Sequence, residues 1–316
     1  MSEFSEIPVL DLAPLISGGD CTDLRGDFLA AYGESGFGYV INHGVDQSLI
    51  GAVFDASKKF HALPATDKNA VALNHIHRGY IAINTSTDVN SKLAEVKKPN
   101  QSASFMMMRE DAEEDPDIYL SGPNQWPELE GFRETLESYE RALSDLGRKL
   151  MRLALESVGV TEYSALASFD TPTIWLRLLH YPPMPAMTPQ DVFGSAPHTD
   201  FGCLTILAQD DVGGLQVQTP SGNWVDAPVV PGSFVVNVGD MLHRMTNGRL
   251  KSTPHRVINR SGRERYSCPF FFDPHVSLDL APLPGAGAPQ FEPVNFGSFL
   301  RGELEAAYDR HKPKTF

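Results

Sequence analysis

A chain of 316 residues can form one large domain or two closely packed ones, and 41% hydrophobic with 21% charged residues is ordinary for a globular protein. Its 26 Lys and Arg against 40 Asp and Glu give a formal charge of -14, which disfavours nucleic acids and anionic membranes as partners and leaves a small molecule as the expected substrate. Cys21, Cys203 and Cys268 are odd in number and widely spaced, which excludes a disulfide framework and zinc-finger spacing. Neither a basic-then-apolar leader nor an apolar run of membrane-spanning length is present, so a cytoplasmic protein is expected.

In chain order, "IPVLDL" predicts a short strand, "DLRGDFLAAYGESG" a helix closed by glycine, and "FGYVINHG" a second strand. Asp46 is placed to cap a helix whose apolar side is Leu49, Ile50, Val53 and Phe54 and which stops before Pro64. Residues 66 to 127 are polar and irregular and predict loops and short elements, a natural border for a substrate. Phe132, Leu136, Tyr139, Leu143, Leu146, Leu150 and Leu153 recur at spacings of four and three, which predicts one helix from 128 to about 158 packed against a sheet. From residue 173 the texture changes. "TIWLRLLHY", "CLTILAQ", "GGLQVQT", "NWVDAP", "SFVVNVGD", "HRVINR" and "RYSCPFFFD" follow one another with turn residues between most of them, predicting an antiparallel sandwich or barrel. "FGSFLRGELEAAYDRH" predicts a closing amphipathic helix.

The chemistry concentrates in the β region. In "SAPHTDFGCLTIL", His198 and Asp200 flank Thr199, so on extended backbone both side chains point to one side, at the edge of an apolar strand. The histidines that follow are His243, His255, His275 and His311. His255 lies in "KSTPHRVINRSGRERYS", which predicts a β-hairpin with "HRVIN" and "ERYSCPF" as arms and "RSGR" as the turn. That pairing would set His255 opposite Arg265 to Ser267, where Arg265 and Ser267 share a face. Two histidines and a carboxylate leave three positions of an octahedral metal open, the arrangement suited to non-haem Fe(II). An anionic co-substrate can fill two of them and leave one for O2, with Arg265 as a bidentate fork and Ser267 as a further donor for its far carboxylate.

Other polar candidates have structural readings. His243 and His43 are expected to serve packing and turn geometry, whereas His75 and His77 fall in the irregular region where a substrate could be touched. Phe270, Phe271 and Phe272 are expected as core and cavity wall. Trp175 and Arg177 alternate onto the strand face of Tyr181 and come within reach of a cavity, Trp175 chiefly as core.

The pattern "HTD", 54 intervening residues, "HRV", and "RYS" ten positions beyond the histidine resembles the 2-oxoglutarate- and Fe(II)-dependent dioxygenases of the isopenicillin N synthase-like family. "LRLLHYPP", "DDVGGLQV" and "NVGDMLHRMTNGRLKSTPHRV" support it, as do "IPVLDL", "GFGYVINHGV" and "RGY" nearer the start, so the resemblance spans nearly the whole chain. It implies a mainly β fold, a double-stranded β-helix (jelly-roll) core with flanking helices. Residues 1–125 would form the N-terminal region, 126–170 the backing helix and its connection, 171–278 the jelly roll and 279–316 a helical tail. It implies His198, Asp200 and His255 as Fe(II) ligands, and Arg265, Ser267 and Tyr181 as the 2-oxoglutarate site. Leu179 stands where plant relatives commonly carry Asn. The implied reaction oxidises a small-molecule substrate with O2, hydroxylation foremost, and releases succinate and CO2. Three other readings remain open here: an isopenicillin N synthase-like oxidase without 2-oxoglutarate, a zinc hydrolase, and a non-catalytic metal- or 2-oxoglutarate-binding protein.

Overall fold

The computed structural model describes residues 3–86, 98–160, 163–185, 187–189 and 191–307. His311, the end of the closing helix, and residues 87–97 of the polar stretch expected to border the substrate lie outside the described residues.

The first half contributes β1 (Val9–Asp11), α1 (Ala13–Ser17), α2 (Thr22–Glu34), β2 (Phe37–Ile41), α3 (Gln47–Ala62), α4 (Ala65–Ala70), β3 (Gly79–Ile81), β4 (Ala103–Met108) and α5 (Phe132–Ser157). A 3-10 turn, Tyr163–Phe169, leads into β5 (Thr173–Tyr181), β6 (Ser195–His198), β7 (Leu204–Gln209), β8 (Leu215–Gln218), β9 (Trp224–Asp226) and β10 (Phe234–Val238). Then come α6 (Asp240–Met245), β11 (His255–Val257), β12 (Arg265–Asp273), β13 (Asp279–Leu280), β14 (Val294–Asn295) and α7 (Phe296–Ala307). Local signals account for several boundaries. The Asp46 carboxylate accepts the Ser48 N–H at 2.8 Å and starts α3, which ends ahead of Pro64.

Eight strands form a large sheet in the order β1-β2-β10-β7-β12-β5-β4-β3, and four form a small sheet in the order β6-β11-β8-β9. The jelly roll is these two sheets face to face. Alternation along β5 sorts side chains between its two sides. Ile174, Leu176 and Leu178 face the helices and join Leu136, Leu143, Leu146 and Leu150 of α5 in one apolar core. Leu179 and Tyr181 face inward, where with Phe37, Tyr39 and Val235 they meet Leu215, Val217 and Val257 of the small sheet. Among the described residues, no helix is long and apolar enough to cross a membrane.

Three local expectations require correction. His255 and Arg265 are not on arms of one hairpin: β11 pairs with β6 and β8, whereas β12 pairs with β5 and β7. Residues between Val257 and Arg265 carry the chain from the small sheet to the large one, so the partners of His255 are His198 and Val217, and Arg265 stands opposite Tyr181. Likewise, His198 and Asp200 do not share an extended strand. β6 ends at His198, residues 199–203 turn, and the apolar run resumes as β7 in the other sheet. Within the polar stretch from 66 to 127, β4 is a fully buried six-residue strand seated between β3 and β5. Its apolar "FMMM" was outweighed by the polar residues on either side.

The backing helix depends on one close approach. A methyl group at Gly147 would stand 2.7 Å from Phe272 Cγ, and the Phe272 ring is fully buried and stacked on Phe169 at 5.5 Å. Elsewhere in a helix, Gly→Ala stabilises by about 0.5–1 kcal/mol. Here Gly147→Ala is expected to destabilise by about 1–3 kcal/mol through overpacking, measured as a lower urea midpoint with unchanged slope.

Candidate metal centre

Asp200 is carried on a turn that other elements hold in place. The Asp240 N–H at the start of α6 donates to the Asp200 carbonyl at 2.8 Å, and the Met241 N–H donates to the Gly202 carbonyl at 2.9 Å. From the end of β12, Asp273 accepts the Cys203 N–H at 2.6 Å. The approach is so close that a Cβ at Gly202 would lie 1.7 Å from Asp273 Oδ1, so only glycine fits. Burial pushes the Asp273 carboxyl up to about 7, offset in part by that N–H and reinforced by Asp200. Asp240, half-buried, is raised by desolvation as well, although Ser252 and Thr199 donate to it.

The three predicted ligands converge. One donor atom from each of His198, Asp200 and His255 lies within 4.8 Å of the others, and each imidazole Nε2 is 3.7 Å from Asp200 Oδ1. The two rings stand 4.3 Å apart between centroids. His198 Nδ1 lies 2.7 Å from the Ala196 carbonyl, which can only accept, so the proton sits on Nδ1 and Nε2 keeps its lone pair. His255 Nδ1 makes the same type of contact with the Thr253 carbonyl at 3.3 Å. On the other side of the carboxylate, Asn237 donates to Asp200 Oδ2 at 2.7 Å and Thr205 donates to the same oxygen. Burial alone would raise the Asp200 carboxyl, but the imidazoles of His255 and His198, with Asn237 and Thr205, outweigh it and leave it lowered. Two bare imidazole nitrogens and one oriented carboxylate oxygen, with no thiolate, form a donor set that fits Fe(II).

Arg265 lies deeper between the sheets. It is 0% exposed, and its hydrogen bonds go to neutral acceptors: the Gly213 carbonyl, Ser267 Oγ at 3.2 Å and Gln209 Oε1 at 3.1 Å. The Tyr181 ring lies against its guanidinium, 4.7 Å from centroid to Cζ. Glu264, the acidic neighbour in sequence, takes the Tyr266 hydroxyl instead.

An open cavity adjoins His198 and Asp200, and His77, Trp175, Arg177 and Phe271 are in its wall. His77 thus reaches the cavity, while His75 stays outside in an exposed pair with Glu114. His43 is buried against Phe234 and His243 bonds to the Leu250 carbonyl, both structural. Sequence reasoning missed Asn237, Thr205, Gln209 and Asn100; the last accepts the Ala196 N–H at 2.9 Å and fixes β6. A lone Asn inside the apolar run "FVVNV" was a signal for the first.

Comparison with known proteins places this geometry. Residues 173–274 match the model of the 2OG-Fe(II) oxygenase superfamily, and residues 7–129 match that of the non-haem dioxygenase in morphine synthesis N-terminal region. The chain is 36% identical to the 2-oxoglutarate-Fe(II) type oxidoreductase hxnY of Emericella nidulans, over 96% of this chain and 90% of that one. It is 30% identical to homoarginine-6-hydroxylase 2-ODD-C23.1 of Arabidopsis thaliana, over 97% and 99%.

The chain belongs to the 2OG-Fe(II) oxygenase superfamily.

Its fold superimposes on that of a full-length Neurospora crassa protein, solved in complex with alpha-KG and thymine, with a TM-score of 0.84, at 28% identity over 97% of this chain and 98% of that one. This oxygenase is a 2-oxoglutarate-dependent dioxygenase that uses Fe(II) and O2, and its resemblance to the isopenicillin N synthase-like family holds. Several relatives, hxnY among them, are named for 2-oxoglutarate, which supports that reading over an oxidase working without it.

Proposed function

We propose that His198, Asp200 and His255 hold the Fe(II), that Arg265, Ser267 and Tyr181 hold the 2-oxoglutarate, and that the enzyme hydroxylates a small molecule seated in the adjoining cavity. In this oxygenase, residues 1–125, 126–170, 171–278 and 279–316 are taken as the N-terminal region, the backing helix with its connection, the jelly roll and the tail. One molecule of O2 is consumed: one oxygen atom enters a substrate C–H bond, and the other enters succinate as 2-oxoglutarate loses CO2. Bound at the three side chains, Fe(II) supplies chelation of the keto acid and activation of O2.

The chain's own residues have separable tasks. Asp200 would supply negative charge to the metal while Asn237 and Thr205 hold its Oδ2, so the carboxylate stays oriented. His198 and His255 would turn Nε2 to the metal because their Nδ1 atoms face backbone carbonyls. No protein acid or base is needed in the cycle. The cavity beside His198 and Asp200, with Met106, Phe271, Leu300 and Leu304 in its wall, suits a small organic substrate, and the formal charge of -14 disfavours a polyanion. A neighbour of the same fold, crystallised with thymine, supports the small-molecule reading.

The observation that carries the proposal is the Arg265 guanidinium, fully buried with hydrogen bonds only to neutral groups. A cation withdrawn from water demands a counter-charge. The far carboxylate of 2-oxoglutarate provides one, and Ser267 beside it adds a hydroxyl donor.

Arg265→Gln is therefore expected to weaken 2-oxoglutarate binding about 10- to 100-fold, read by calorimetry and by loss of the thermal stabilisation that the acid gives the wild type. Unchanged affinity would contradict the assignment. For the metal, Asn237→Ala is expected to weaken Mn(II) or Fe(II) binding about 10- to 100-fold, because Asp200 loses an orienting donor. Mn(II) titration followed by electron paramagnetic resonance measures this without turnover, and unaltered affinity would remove Asn237 from the metal's support.

A further inference from the structure

We infer that Arg177 anchors the substrate to be oxidised, and that this substrate is a small carboxylic acid with an apolar body. The inference rests on the preceding reading of the iron and 2-oxoglutarate positions. It adds the chemical class of the second organic substrate.

Three observations converge on Arg177. First, it lies in the wall of the cavity that His198 and Asp200 adjoin. Second, its charge has no counter-charge among the described residues. Nε donates to Ser104 Oγ at 3.0 Å, and among the described residues no carboxylate pairs with the guanidinium. The carboxylates that share the cavity wall are engaged elsewhere: Asp200 with Asn237 and Thr205 beside the imidazoles, and Asp273 with the Cys203 N–H. Third, Trp175, two residues earlier on the same strand face and only 7% exposed, buries an indole N–H that has no acceptor among the described residues. A guanidinium with no carboxylate partner among the described residues calls for an anionic acceptor, and the Trp175 indole N–H beside it is a buried donor without one.

Arg177 is not a second handle for 2-oxoglutarate. In the register of β5 with β12, Arg265 stands opposite Tyr181, and Phe271 opposite Trp175. Arg177 is four residues from Tyr181 along β5, a separation of roughly 13 Å at the strand rise. The two guanidinium groups therefore serve different ends of the interior. A single guanidinium fork matches a carboxylate, whereas a phosphate would recruit more than one cation. The remaining wall sets the body of the molecule, since Met106, Phe271, Leu300 and Leu304 offer only apolar surface.

Binding is measured by calorimetry, without oxygen, on the full chain loaded with Fe(II) and 2-oxoglutarate. The probes are phenylacetate, cinnamate, indole-3-carboxylate and octanoate, each with its primary amide, and thymine as a neutral ring. At least one acid is expected to bind about 10- to 100-fold more tightly than its amide, the range of a charge-assisted pair. Arg177→Gln is expected to erase that preference and Arg177→Lys to keep part of it. The inference is overturned if no acid outbinds its amide, if thymine matches the best acid, or if R177Q keeps the preference. Loss of 2-oxoglutarate affinity in R177Q, in place of acid discrimination, also overturns it. Failure of the wild type to bind 2-oxoglutarate would take down the underlying reading with it, whereas intact 2-oxoglutarate binding without acid preference sinks this inference alone.

Discussion

The turn between His198 and Leu204 connects the small sheet to the large one, and its conformation decides whether a metal site exists. His198 ends a strand of one sheet, so Asp200 reaches the imidazoles only if the chain bends back over the mouth of the interior. The bend is fixed by the Asp273 carboxylate on the Cys203 N–H, by two backbone bonds from the start of α6, and by Gly202, whose missing side chain admits Asp273. His255 then arrives by ordinary strand pairing, opposite His198. The convergence of His198, Asp200 and His255 is thus one pairing register plus one tightly held turn. The long helix and the large sheet give both a rigid backing.

Polarity inside the molecule is distributed with the same economy. Between the sheets most side chains are apolar, and the charged ones are few and individually placed. Asp200 is supported by neutral donors on the oxygen that faces away from the imidazoles. Arg265 is supported by neutral acceptors and an aromatic face, which hold its direction without cancelling its charge. A carboxylate neighbour would have satisfied the guanidinium permanently and closed the position to an organic acid. Arg177 repeats the pattern in the wall of the cavity beside His198 and Asp200, where its Nε donates to the Ser104 hydroxyl. Small anionic molecules can thus be taken up by a protein whose net charge is strongly negative, because binding is set by local desolvated contacts.

Much of this was legible in the residues. The periodicity of Leu136, Leu143 and Leu150 placed the backing helix, alternation in "TIWLRLLHY" separated core from interior, and His198, Asp200, His255, Arg265 and Ser267 stood out by chemical type and spacing. What failed was local pairing. "HRVINRSGRERYS" has the form of a hairpin, yet in a jelly roll each arm finds partners far away in sequence, and nothing local separates a turn that closes a hairpin from one that crosses between sheets. Asn237, Thr205 and Gln209 escaped for a related reason. Each is an ordinary polar residue in an apolar strand until the register sets it beside Asp200 or Arg265.

The convergence of three side chains on one metal ion is tested most directly by anomalous diffraction at the iron edge. Crystals would be grown without oxygen in the presence of Fe(II) and 2-oxoglutarate. A single iron peak is expected, in contact with Nε2 of His198, a carboxylate oxygen of Asp200 and Nε2 of His255, with the acid extending to Arg265. An iron peak elsewhere, or either imidazole turned away from it, would contradict that convergence.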